Sequence, residues 1–266
     1  MVDGPQSNKR SGGVWASKVP PVTLMFWVIK ICATTVGETG GDAVSMTLEF
    51  GYAISSLIFL GFFGVTLAAQ VASKRYRPFV YWAVVVATTT VGTTLSDYLD
   101  RTVGLGYVKS SIMLFCGVIV VLLAWHRATG AIEYENITTT KNEVFYWITI
   151  LVSNTLGTAL GDFVATDTGL GFERGSLVFA GLLALVAAAH FATKIPDSML
   201  FWAAYVLTRP LGATLGDTLT KPHAEGGLEL GRITSSLVIA ALMILGIILT
   251  SRKAERVPDP SGPERA

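Results

Sequence analysis

Residues 26–42 read Phe26-Trp27-Val28-Ile29-Lys30-Ile31-Cys32-Ala33-Thr34-Thr35-Val36-Gly37-Glu38-Thr39-Gly40-Gly41-Asp42. The frame of this stretch is a Trp, a Gly ten residues on and an Asp five further. It returns as Trp82, Gly92, Asp97; as Trp147, Gly157, Asp162; and as Trp202, Gly212, Asp217. Each copy is followed by a second apolar run that opens alike: Gly51-Tyr52-Ala53-Ile54-Ser55-Ser56, Gly106-Tyr107-Val108-Lys109-Ser110-Ser111, Gly171-Phe172-Glu173-Arg174-Gly175-Ser176 and Gly231-Arg232-Ile233-Thr234-Ser235-Ser236. The unit is therefore a two-helix hairpin with an even number of crossings. All four copies enter a membrane the same way round, and repeats of that kind are related by an axis along the membrane normal. The aspartates are separated by 55, 65 and 55 residues (97−42, 162−97, 217−162), which divides the chain into two halves of two hairpins.

Composition gives the solvent. Of 266 residues, 51% are hydrophobic and 15% charged, and mean hydropathy is +0.55. Soluble domains carry about 25% charged residues. A net charge of +1 gives nucleic acid nothing to hold, and the two cysteines, Cys32 and Cys116, lie in apolar runs unsuited to a disulfide framework or a thiolate metal site. A span needs about 20 apolar residues. Eight such stretches occur, near 22–42, 51–71, 79–98, 108–126, 145–163, 171–191, 198–217 and 231–250. The expected fold is an all-α membrane protein with eight transmembrane helices, built as four tandem parallel two-helix repeats with pseudo-symmetry about the membrane normal. Residues 1–20 read as a polar cytoplasmic tail without the apolar core of a signal peptide. Residues 21–250 form one transmembrane domain, with repeats near 22–75, 77–128, 142–193 and 197–250, and 251–266 form a second cytoplasmic tail.

Orientation follows the basic residues. Thirteen lie on one side (Lys9, Arg10, Lys18, Lys74, Arg75, Arg77, Arg127, Lys141, Lys194, Arg252, Lys253, Arg256, Arg265) and five on the other (Arg101, Lys109, Arg174, Lys221, Arg232). Both termini are expected in the cytoplasm, and the sequon Asn136-Ile137-Thr138 then faces away from the glycosylation machinery.

Four tandem two-helix repeats, each with a Trp and a Gly-rich Asp motif, resemble a bacterial membrane repeat family of unknown function whose members are labelled uncharacterised membrane-anchored proteins. The resemblance covers residues 19–250 and is strongest over Trp27–Asp42 and Thr208–Asp217. It implies a fold and a bacterial inner-membrane location, but no activity, so function rests on the residues themselves.

Ionisable groups inside spans are costly and default to functional candidates. Lys30, Thr34, Glu38 and Asp42 recur every four residues along one face of the first helix. The equivalents of Thr34 are Thr89, Asn154 and Arg209, and those of Glu38 are Thr93, Thr158 and Ala213, so the frame is symmetric and its chemistry is not. Lys30, Glu38 and Arg209 stand at mid-depth. Pro210 removes an amide donor next to Arg209 and is expected to kink the seventh helix, as in transporters with broken helices. Two readings of Asp42, Asp97, Asp162 and Asp217 stay open. They can cap the even helices, or they can form a ring of hard oxygen donors of the type that suits magnesium, calcium or manganese. Within that ring, Glu38 and Asp42 are the expected metal ligands, because Glu38 has no counterpart in the other repeats. Lys30 and Arg209 can neutralise a buried carboxylate structurally, or be displaced from it by an arriving cation. The Trp quartet reads as interfacial anchoring, the Gly and Ser residues as close helix packing, and His223 as a loop residue beside Glu225 and Glu229.

The expected function is secondary transport of a small inorganic cation such as manganese, with export as admissible as import. Protons, the lipid bilayer and a second copy of the chain are the further partners. No cofactor, nucleic acid or catalytic residue is expected. Two alternatives are an intramembrane aspartyl protease, from the Gly-Asp pairs at 161–162 and 216–217, and a non-transporting scaffold or sensor.

Overall fold

The computed structural model describes residues 18–73, 76–132, 137 and 139–255. The tail before Lys18, the sequon at Asn136, and Lys74, Arg75, Arg256 and Arg265 of the orientation count lie outside the described residues.

Among the described residues there are eight long α-helices and no strand: α1 (Leu24–Asp42), α2 (Gly51–Ala72), α3 (Pro78–Asp97), α4 (Tyr107–Thr129), α5 (Thr140–Asp162), α6 (Gly171–Ala192), α7 (Asp197–Thr220) and α8 (Arg232–Glu255). Their ends follow local chemistry. The Thr23 and Thr139 hydroxyls accept the amides of Phe26 and Asn142 at the starts of α1 and α5. Pro78 occupies the first turn of α3, and Gly130, at φ +81°, ends α4. Six helices, α2 to α6 and α8, are long and apolar enough to cross a membrane, and the chain is a helical membrane protein. The other two long helices, α1 and α7, carry Lys30, Glu38 and Asp42, and Asp197, Arg209 and Asp217.

The odd helices form an inner ring in which α1, α3, α5 and α7 each pack on the next and α7 returns to α1. The repeated glycines set the spacing. A Cβ on Gly37 would overlap Thr89, one on Gly157 would overlap Arg209, one on Gly212 would overlap Thr34, and one on Gly92 would lie 3.0 Å from the backbone of Asn154. Each glycine thus admits the equivalent residue of the next repeat, and the cycle closes on itself. Threonine hydroxyls reinforce the seams: Thr89 donates to the Ala33 carbonyl at 3.2 Å, and Thr34 to the corresponding Thr208 carbonyl at 3.2 Å.

The even helices form an outer ring, but they do not fold back on their own partners. α2 packs on α3, α4 on α5, α6 on α7, and α8 on α1. The simple hairpin expected from the sequence is therefore replaced by interlocked units. The segment after each of the first three aspartates explains the offset. Ala43–Thr47, Tyr98–Thr102 and Phe163–Asp167 are single π-helical turns that swing the chain outward and onward. In the fourth repeat a longer excursion, containing the short helix His223–Glu225, takes their place.

Two further expectations are corrected. Trp82 and Trp147 are 1% exposed and do not face a membrane interface. They belong to an aromatic plug at one end of the inner ring, in which Phe26 meets Trp82, Tyr81 meets Trp147, Tyr146 meets Trp202 and Phe201 meets Trp27, with centroids 5.5–6.3 Å apart. This is the same cyclic handover that the glycines make. The seventh helix is not broken: α7 runs unbroken through Pro210. The Thr214 hydroxyl bonds the Pro210 carbonyl at 2.9 Å, and α1 and α5 hold both sides.

Candidate functional site

The four-residue spacing within each inner helix stacks its buried side chains into tiers. Next to the aromatic plug stand Lys30, Val85, Ile150 and Tyr205. Then come Thr34, Thr89, Asn154 and Arg209, then Glu38, Thr93, Thr158 and Ala213, and at the far end Asp42, Asp97, Asp162 and Asp217. All sixteen are at most 3% exposed. Every site residue expected from the sequence (Lys30, Thr34, Glu38, Asp42, Asp97, Asn154, Asp162, Arg209, Asp217) thus lies inside the ring.

The Arg209 guanidinium reaches across the ring to Glu38 Oε2, with N–O distances of 3.0 and 3.1 Å. It also donates to the hydroxyls of Thr93, at 2.6 Å, and Thr158, and to the Thr89 carbonyl at 3.4 Å. Thr93 donates to the same Glu38 oxygen at 3.1 Å. One arginine therefore touches all three other inner helices. This answers which base neutralises Glu38: it is Arg209 and not Lys30. Asn154 is occupied differently, donating to the Thr88 hydroxyl at 3.1 Å. Lys30 Nζ lies 4.2 Å from the centre of the Tyr205 ring and has no hydrogen-bond partner among the described residues. The two charged tiers thus meet at the α1–α7 seam, which joins the first repeat to the last.

The aspartates at the far end are bridged in pairs. Arg101, one turn after Asp97, lies 3.1 Å from it and 3.8 Å from Asp162. Lys221, one turn after Asp217, lies 3.3 Å from it and 3.0 Å from Asp42, and Arg232 approaches Asp42 at 3.6 Å. The two readings of the aspartates thus gain a third member, a clamp between neighbouring helices. Sequence reasoning placed these cations on the outer side without assigning them a partner. The i,i+4 spacing of Asp97–Arg101 and Asp217–Lys221 was the available signal.

Among the described residues, one group fits a metal ion. Carboxylate oxygens of Glu38, Asp42 and Asp97 all lie within 4.8 Å of one another. Ligands on opposite sides of a hard cation with bonds of ~2.4 Å are separated by about that much. Asp97, from the second repeat, completes the pair expected on α1. Asp42 Oδ1 is buried and has no hydrogen-bond partner among the described residues, although Oδ2 is held by Lys221. His223, 72% exposed in its side chain, stays in the loop beside Glu229 and reaches none of these oxygens.

Comparison with known proteins adds the family and no activity. No curated protein matches the chain, and no solved structure matches it. A family model described as a repeat of unknown function, DUF347, matches four times, over residues 25–76, 80–131, 145–195 and 200–255. These four matches take in most of the chain and coincide with the four turns of the ring, and the protein belongs to the DUF347 repeat family.

Proposed function

We propose that this protein is a secondary transporter of a small, hard inorganic cation, with manganese the first ion to test. In this reading all eight helices cross a bacterial inner membrane and both termini face the cytoplasm. The aspartate end of the ring opens outward, and the aromatic plug closes the cytoplasmic end. The observation that carries it is the convergence of Glu38, Asp42 and Asp97 within 4.8 Å, inside a ring of helices, with each acid leaning on a basic side chain. A dication entering such a site displaces Arg209 and Lys221 from their carboxylates and takes over the neutralisation of the acids. Carboxylate and hydroxyl oxygens favour the magnesium, calcium and manganese class over softer metals. The placement of bases supports the orientation. Lys18, Arg77, Arg127, Lys141 and Lys194 flank the aromatic end, whereas three of the five bases at the other end are engaged by the aspartates.

The ion pairs weigh against intramembrane aspartyl proteolysis, which needs two carboxyls sharing a proton. Asp162 is held by Arg101 and Asp217 by Lys221. The test is Mn2+ entry into proteoliposomes containing a Mn2+-quenched dye. The wild-type chain is expected to admit Mn2+, with Glu38→Gln and Asp97→Asn slowing entry by tenfold or more. Wild-type rates in Glu38→Gln would remove the site assignment, and no Mn2+ flux in the wild type would remove manganese.

A further inference from the structure

We propose that Lys30 is the proton-binding group of this transporter, so that the cation moves in exchange for a proton held on its amine. The inference rests on the transport reading and supplies its coupling ion. Lys30 is completely buried and its Nζ makes no hydrogen bond among the described residues. What it does meet is the face of Tyr205. At this depth α7 offers Tyr205 and Arg209, α3 offers Tyr81, Val85 and Thr89, and α5 offers Tyr146. On α8, Met243 and Gly246, which line one apolar surface with Ile29 of α1, cannot ionise. No carboxylate faces Lys30 from any of these helices. The nearest acid along α1, Glu38, lies two turns away and holds Arg209.

A buried ammonium without a counter-ion is held only by the ring of Tyr205 and is opposed by Arg209, whereas a neutral amine without a partner costs far less to bury. The site therefore has two stable fillings. With Lys30 neutral, the charges of Arg209 and Glu38 cancel; with Lys30 protonated, the same tiers carry one net positive charge. Lys30 is eight residues, or ~12 Å, from Glu38. A dication at Glu38, Asp42 and Asp97 weakens proton binding at that range on the order of a hundredfold. Proton and cation then exclude each other, which is the condition for exchange. The chemistry is one N–H bond made with a proton from water on one side and broken toward water on the other. One helical turn further into the aromatic plug, the Tyr81 and Tyr146 hydroxyls lie 3.3 Å apart.

Two measurements test this on the full chain. In the first, 15N-lysine NMR of the purified protein follows the Nζ resonance that disappears in Lys30→Arg. It is expected to change between amine and ammonium forms as pH is varied over the range in which the protein stays folded. A resonance fixed in either form overturns the proposal, whether or not the protein transports anything. In the second, proteoliposomes carry a pH dye beside the Mn2+ dye. Wild type is expected to exchange Mn2+ for protons. Lys30→Gln is expected to pass Mn2+ down its gradient with proton counterflow reduced at least tenfold. Undiminished counterflow in Lys30→Gln overturns the inference. Absence of Mn2+ flux in wild type counts against the transport reading alone, and the NMR titration still decides Lys30.

Discussion

Helices α2 and α3 are consecutive in sequence and packed together, yet their surfaces are reversed. The more apolar α2 has most of its residues exposed, while the less apolar α3 has most of its residues buried. In water the more apolar helix would be inside. Here lipid is the better solvent for Leu and Phe, so burial is left to residues that bring backbones close or bond across seams. Threonine, glycine and paired charges fill the inside, and the outer helices expose Ile54, Leu57, Phe62 and Val65 of α2.

The contrast is sharpest at glycine. Gly212→Leu places its side chain against Thr34 on the facing helix and should abolish monodisperse folded protein, read by size-exclusion chromatography and thermal melting. Gly61→Leu on α2, where nothing lies within 4 Å, should leave both unchanged. Equal behaviour of the two would dissolve the distinction between the rings. Next in size is the charge pair. Arg209→Met leaves Glu38 buried and unpaired and should cost about 3–5 kcal/mol in denaturation of the solubilised protein. Adding Glu38→Gln should restore most of that, and a double variant no better than the single would mean that Arg209 acts through packing alone. The smallest effect belongs to the pair at the ring's edge, in which Lys18 is part-exposed and Glu143 buried. Lys18→Ala leaves that carboxylate without its base and should lose about 1–3 kcal/mol in denaturation of the solubilised protein.

The Trp–Gly–Asp frame was readable because a fixed offset in four copies marks one position in one fold, and the helix ends follow within five residues. The glycines were readable as packing positions because small residues have that use in membranes. The fate of the tryptophans was not. Their position along the helix is in the sequence, but which way they point depends on where the ring axis lies, and interfacial Trp and plugged Trp have the same spacing. The partner of Glu38 was illegible for a related reason. Lys30 and Arg209 are both four-residue steps in the same frame, and only the register between α1 and α7 brings Arg209 to the carboxylate. Arg101 and Lys221 were missed although their spacing from the aspartates was in view, because the reach from one repeat to the next is a property of the ring. The packing of α2 on α3 keeps the usual rule that sequence neighbours pack together, but it sets the packed hairpin one helix off the repeat, and a repeat read from sequence does not say which of its two neighbours an outer helix will choose.

That offset has a consequence for how the molecule is partitioned. The segment that repeats in sequence, helix α1 with α2, is not the segment that coheres in space, which is α2 with α3. A fragment cut at the repeat boundaries parts every outer helix from its partner. Cuts made just before each outer helix keep three of the four couples whole, and the fourth, α8 with α1, is divided because its two helices lie at opposite ends of the helix order. The tiling has no natural first element. A permuted gene that joins the present ends with a short linker and opens between α1 and α2 would place α8 directly before α1 and turn all four couples into sequence neighbours.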